Sequence, residues 1–97
     1  MTMVVAILQA KPGQEDTLEE ALREVAARSR EEPGAMAYTV GRRQGGRFLV
    51  AERYADRAAC DAHFAAPYVT GLLARFPELL DGEPQVELTD VVTGFVR

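Results

Sequence analysis

Phe48-Leu-Val-Ala-Glu-Arg-Tyr-Ala-Asp-Arg-Ala-Ala-Cys-Asp-Ala-His-Phe-Ala-Ala-Pro-Tyr68 reads as a strand, a corner and a helix. In the strand Arg47–Tyr54, strict alternation puts Phe48, Val50, Glu52 and Tyr54 on one face and Leu49, Ala51 and Arg53 on the other. Asp56 suits a helix N-cap, because its side chain can accept from the free amides of the first turn. From Arg57 to about Ala66 the spacing predicts a helix with Ala59, Cys60, His63 and Ala66 facing inward. Pro67 resets the helix after Ala66, since the residue before a proline avoids the α region. Helical spacing resumes from Tyr68 to Leu80 through Val69, Leu72, Leu73 and Phe76, with Pro77 interrupting it or opening a new turn. This stretch holds the chain's single histidine, its single cysteine and a glutamate set among apolar strand positions.

Upstream, Ala35–Arg43 predicts a partner strand, with Met36, Tyr38 and Val40 on one face and Ala37, Thr39 and Gly41 on the other. Gln44-Gly45-Gly46 supplies the backbone freedom that a hairpin turn needs. Farther back, Met3–Ala10 is a Val, Ile and Leu run, read as a mostly buried strand and ended by Lys11-Pro12-Gly13. Gln14–Arg30 carries Leu18, Ala21, Leu22, Val25 and Ala26 on one helical face. Glu15 and Asp16 lie at the positive end of its dipole, and Glu31-Glu32-Pro33-Gly34 stops it. Downstream, after the loop Asp81-Gly82-Glu83-Pro84, Val86–Val96 predicts a last strand longer than its neighbours.

The order is β-α-β-β-α-β over one domain, residues 1–97. It predicts an α+β, ferredoxin-like antiparallel sheet with both helices on one face. Helices on one side leave apolar side chains of the other side facing water, and a patch of that kind marks an interface. The expected remedy is a two-fold homodimer packed sheet against sheet and strengthened by the long last strand.

Composition narrows the partners. A net charge of −4 and a pI near 4.9, with dispersed arginines and Lys11 the sole lysine, argue against a nucleic-acid partner. No segment approaches the ~18 apolar residues of a membrane span. Met1-Thr-Met-Val-Val-Ala-Ile-Leu8 lacks the basic flank of a signal peptide. The unpaired Cys60 fits a reducing, cytoplasmic setting. One His and one Cys fall short of a metal-ligand set, so no metal is expected.

Glu32-Pro33-Gly34 followed by Tyr38, then Phe48, Glu52-x-Tyr54-x-Asp56, Ala59 and His63, resembles the antibiotic biosynthesis monooxygenase domain family, with quinol-monooxygenase-like members nearest. The resemblance runs from the first strand through the last. It implies a dimeric α/β barrel and oxidation of a small aromatic phenol or quinol by O₂ with no cofactor. The chain has no tryptophan and no asparagine, both of which the best-known oxygenating and haem-degrading relatives use near the ligand. Tyr68 stands where relatives often carry a second histidine, and Tyr54 where many carry tryptophan.

In that setting His63 is the candidate base, since an imidazole can take a proton from a phenol near neutral pH. The alternative is a structural histidine satisfied by Glu52 or by a backbone carbonyl. Glu52 either orients His63, or sits at a wet edge or pairs with Arg53 or Arg57. Tyr38, Phe48, Tyr54, Phe64 and Tyr68 are candidate aromatic walls of the substrate pocket, or ordinary core. Cys60 is expected to be a buried core thiol. Three functions stay open on this scaffold: the oxygenase, a cofactor-free isomerase or lyase with the same base, and a non-catalytic binder of small hydrophobic molecules.

Overall fold

The computed structural model describes residues 1–97. The elements run β1 (Thr2–Gln9), α1 (Glu15–Ser29), β2 (Ala35–Arg43), β3 (Arg47–Tyr54), α2 (Arg57–Ala65), α3 (Pro67–Leu79) and β4 (Gln85–Asp90). The strands form one antiparallel sheet in the order β2-β3-β1-β4, the ferredoxin-like arrangement. Where the element order has a single second helix, there are two. Ala66 is extended, Pro67 opens α3, and the chain turns a corner between α2 and α3.

The alternation of β3 holds along its whole length: Phe48, Val50, Glu52 and Tyr54 are buried beneath the helices. In β1, Ala6 and Leu8 pack against Leu18, Leu22 and Val25 of α1 and Val69, Leu72 and Leu79 of α3, and Val4 packs with Tyr54 and with Cys60 of α2. The run in β1 is therefore half-buried, not buried on both sides. Val5 points to the bare face together with its cross-strand partner Ala51, as do Ile7 and its partner Leu49.

Three further expectations are corrected. Met36 does not share a face with Tyr38 and Val40. The register shifts between Ala35 and Ala37, and the extra residue of this β-bulge turns Met36 out to solvent. Pro77 does not break α3, which continues to Leu79. In the last turn a proline removes only one amide donor, and its carbonyl accepts from Lys11 Nζ at 2.7 Å. The last strand ends at Asp90 instead of Val96. Beyond the paired residues of β1 it has no neighbouring strand to extend along, and Val92, Phe95 and Val96 are exposed.

The turn Gln44-Gly45-Gly46 needs its glycines, since both adopt positive φ (81° and 78°). Gly46 O accepts from Ala10 N at 2.8 Å and Gly45 O from Gln9 Nε2 at 2.7 Å, which ties the hairpin tip to the end of β1. No helix is long and apolar enough to cross a membrane.

Candidate active site

His63 lies on the inner face of α2, which Asp56 starts by accepting from Ala59 N at 2.8 Å. Its ring is 2% exposed, enclosed by the sheet residues Glu52 and Tyr54 and the last turn of α1. Tyr38 and Tyr54 tilt against it, at centroid distances of 5.7 and 5.1 Å, and Phe64 meets it edge-on at 5.1 Å.

Each ring nitrogen faces a carboxylate. Nε2 lies 3.5 Å from Glu52 Oε1. Nδ1 lies 3.0 Å from Glu32 Oε2 and 3.2 Å from Glu32 Oε1, with Ser29 Oγ at 3.5 Å. Glu52 also accepts a 2.5 Å hydrogen bond from Tyr54 Oη, and Glu32 accepts one from Tyr68 Oη. Arg28 covers the Tyr68 ring, its guanidinium carbon 5.7 Å from the centroid. Every buried polar side-chain atom has a partner.

Burial sets the electrostatics. It pushes the Glu52 carboxyl up from its usual range, which Glu32 reinforces and Tyr54 and His63 partly offset. Burial also raises the Tyr38 and Tyr54 phenols, and negative charge on Glu52 and Glu32 adds to both. Tyr68 is pushed up to about 12 by burial and by its bond to Glu32. The Cys60 thiol, fully enclosed with Val4 and Tyr54, is pushed up by burial. It therefore lacks the thiolate character of a nucleophile.

Beside this cluster lies a cavity of about 60 Å³ between sheet and helices. Its polar corner is Glu52, His63 and Tyr38, and the remaining walls are apolar, including Val50, Phe64, Val69, Leu72 and Phe76. Leu73 and Val86 line it too and are half-exposed, so the cavity reaches the surface between α3 and β4.

The expected aromatic wall is only partly assembled. Tyr38 and Phe64 line the cavity. Phe48 does not: it is core near the hairpin end, under the Arg42 guanidinium at 5.5 Å. Tyr54 is wholly buried, and its hydroxyl serves Glu52. Tyr68 lies outside the cavity and serves Glu32. Phe76, which the sequence marks only as a helix position, is a wall.

Glu32 is the site residue to which sequence reasoning assigns no chemistry. It stands in a helix-stopping run, Glu31-Glu32-Pro33-Gly34. Its signal is positional: the apolar face of α1 continues to the buried Ser29, and Pro33 restrains the backbone of the residue before it, which is Glu32. No cluster of three or more His, Cys, Asp or Glu side chains is arranged to hold a metal ion.

Residues 1–75 match the family model described as antibiotic biosynthesis monooxygenase. Among solved structures, one described as an antibiotic biosynthesis monooxygenase is 32% identical and superposes with a TM-score of 0.86, covering 96% of this chain and 100% of that one. Rv0793 from Mycobacterium tuberculosis is 26% identical, with a TM-score of 0.90 and 96% of each chain covered. A protein of unknown function from Nitrosomonas europaea, NE2512, is 26% identical with a TM-score of 0.88, covering 99% of this chain and 93% of that one. A comparison with curated proteins gives no match.

Proposed function

Because the chain belongs to the antibiotic biosynthesis monooxygenase family, we propose that it oxygenates a small aromatic phenol or quinol with O₂, without a cofactor and with His63 as base. The observation that carries this reading is the position of His63. It is a buried imidazole at the one polar corner of an apolar cavity, with Glu52, which lines the same corner, 3.5 Å from its Nε2.

The chemistry needs little beyond a base and a dry site. Deprotonation turns a phenol into a phenolate rich enough in electrons to reduce O₂. The phenoxyl and superoxide pair combine into a ring peroxide. Loss of water from the peroxide leaves a quinone, so that phenol plus O₂ gives quinone plus water. The substrate supplies all four electrons. Glu52 closes the polar corner beside the imidazole, 3.5 Å from Nε2, and burial raises its carboxyl above the usual range. Tyr38 and Phe64 supply flat walls.

The cavity is smaller than the ~150 Å³ space that holds a benzene ring in an engineered protein. Binding therefore displaces the half-exposed side chains at the mouth, Leu73 and Val86. This restricts the substrate to a small, largely apolar ring that enters between α3 and β4.

The test is oxygen uptake over a hydroquinone panel. Wild-type protein should consume O₂, and His63→Gln should lose turnover by ~10²–10⁴-fold, the usual contribution of a positioned base. The absence of any His63-dependent uptake across the panel would refute the proposal. Turnover that persists without O₂ would point to an isomerase or lyase instead. Binding that survives His63→Ala with no turnover would point to a non-catalytic binder.

We also propose that the working unit is a homodimer joined through the bare sheet face. Its support is the apolar set Met3, Val5, Ile7, Leu49 and Ala51, which lies on the side opposite the helices.

A further inference from the structure

We propose that Glu32 is a positioning residue for His63 and the route by which the buried ring exchanges protons with solvent. The inference rests on the reading of His63 as the base and adds a residue and a route to it.

A neutral imidazole carries one N–H, so it can donate to only one of its two carboxylates. Glu32 places both oxygens within 3.2 Å of Nδ1, whereas Glu52 has one oxygen at 3.5 Å from Nε2. The stronger acceptor geometry is on the Glu32 side, which puts the ring proton on Nδ1 and leaves Nε2 bare beside the cavity. That is the tautomer a base at this corner needs.

The two carboxylates also differ in access to water. The Glu52 side chain is 5% exposed and lines the cavity. The Glu32 side chain is 20% exposed and lies outside the cavity. A proton received from the phenol at Nε2 leaves a doubly protonated ring, and the Nδ1 proton then passes to Glu32 and on to water. When the O–O bond of the ring peroxide breaks, the carbon that becomes the carbonyl loses its C–H proton, which joins the departing oxygen together with the proton from Nε2 to make water, and Nδ1 regains a proton through Glu32. The ring returns to its starting tautomer, and the protons balance over the cycle.

The groups around the ring are consistent with this route. Tyr38 and Tyr54 face it from β2 and β3, and Cys60 of α2 packs behind Tyr54; burial raises all three, so none takes the proton's place as an acid near neutral pH. Ser29 of α1 offers only a hydroxyl at 3.5 Å. Tyr68 of α3 donates to Glu32 and holds it in place, with Arg28 over the phenol ring.

The single histidine makes the test direct, because every imidazole signal belongs to His63. Ring-nitrogen NMR of the ligand-free protein should show the neutral ring protonated on Nδ1. In Glu32→Ala, which removes the acceptor, the proton should move to Nε2. Glu32→Gln keeps an acceptor oxygen but cannot carry the proton. It should retain the tautomer while exchange of the ring N–H with water slows by ~10-fold or more, and turnover on the hydroquinone panel should fall roughly 10²-fold. Acetate added to Glu32→Ala should restore part of the lost turnover. A wild-type ring with a bare Nδ1, or an unchanged tautomer in Glu32→Ala, would overturn the positioning role. Unaltered exchange in Glu32→Gln would overturn the route. The tautomer and exchange arms need no substrate, so they decide the inference even where the panel gives no wild-type turnover.

Discussion

Glu52 is held between the Tyr54 hydroxyl and the His63 ring, out of reach of bulk water. Burial holds its carboxyl above the 4.5 at which it would otherwise ionise, so the folded chain keeps a proton that the unfolded chain has released. Its contribution to stability is therefore fully present below pH 4.5 and is lost as pH rises through the raised folded value. Glu52→Gln removes that titration and can still accept from Tyr54 Oη. In urea denaturation the variant should gain on wild type as pH rises above 4.5 and level off once the wild-type carboxyl ionises in the folded state, and a difference that does not vary with pH would contradict the assignment. The three tyrosines give a second reading of the same interior. All three phenols are raised, Tyr68 to about 12. Phenolate absorbance of the folded protein should thus stay flat through about pH 10, where the denatured chain titrates. Stability should drain above that pH as the unfolded phenols ionise first. A tyrosine titrating at its ordinary value in the folded state would show that it is wetter than the structure has it. Much of this was legible one residue at a time. A glutamate in phase with Phe48, Val50 and Tyr54 left two outcomes open, a wet edge or a place beside the histidine about two turns past the Asp56 cap, and burial of that strand face decides for the second. Glu32 was not legible in this way. Its role depends on where a loop between α1 and β2 comes to rest, and no periodicity in the sequence carries that.

At the scale of elements, the site depends on how closely α2 is drawn onto the start of β2. A Cβ added at Gly34 would overlap the Ala59 Cβ, and the Gly34 carbonyl accepts from Ala55 N at 2.8 Å. A glycine is needed here for close approach, and it brings Glu32, two residues earlier, to the His63 ring. Gly34→Ala should therefore cost about 1–3 kcal/mol, the usual range for overpacking. Ala59→Gly in the same chain should recover part of that loss, because it removes the atom that clashes. Additive losses in the double variant, measured by denaturant melts, would show that the contact is not the cause. In the sequence Pro33-Gly34 reads as a chain stop and as part of the family resemblance but not as a close contact, since chain stops and close contacts use the same residues. The bulge at Met36 was hidden for a related reason. An apolar residue in a run of alternating apolar residues fits either register, and only pairing with β3 decides which one drops out. The α2–α3 corner was readable because Pro67 constrains Ala66 directly. The end of β4 was not, because strand length there is set by how far β1 runs beside it.

For the whole molecule, the sheet divides two kinds of chemistry. Its helix side holds the core, the cavity and the Glu32–His63–Glu52 line, while its other side presents Val5 and Leu49, 38% and 40% exposed, with Met3, Ile7 and Ala51 around them. A chain this short has little core to spare, and covering that face with a second copy is the simplest way to add to it. A two-fold interface is isologous, so any substitution at its centre acts twice and sets like charges near each other. Val5→Glu should therefore separate the dimer, whereas the monomer fold should survive because Val5 contributes nothing to the helix-side core. Sedimentation velocity at micromolar concentration should give a dimer for wild type and a monomer for Val5→Glu. A monomeric wild type would remove the proposal. The His63 ring-nitrogen spectrum supplies the control, because the ring lies on the far side of the sheet from Val5. An unchanged spectrum in the monomeric variant would place the whole base within one protomer, and a changed one would mean that dimerisation holds the helix layer, and with it the Glu32 contact, in place.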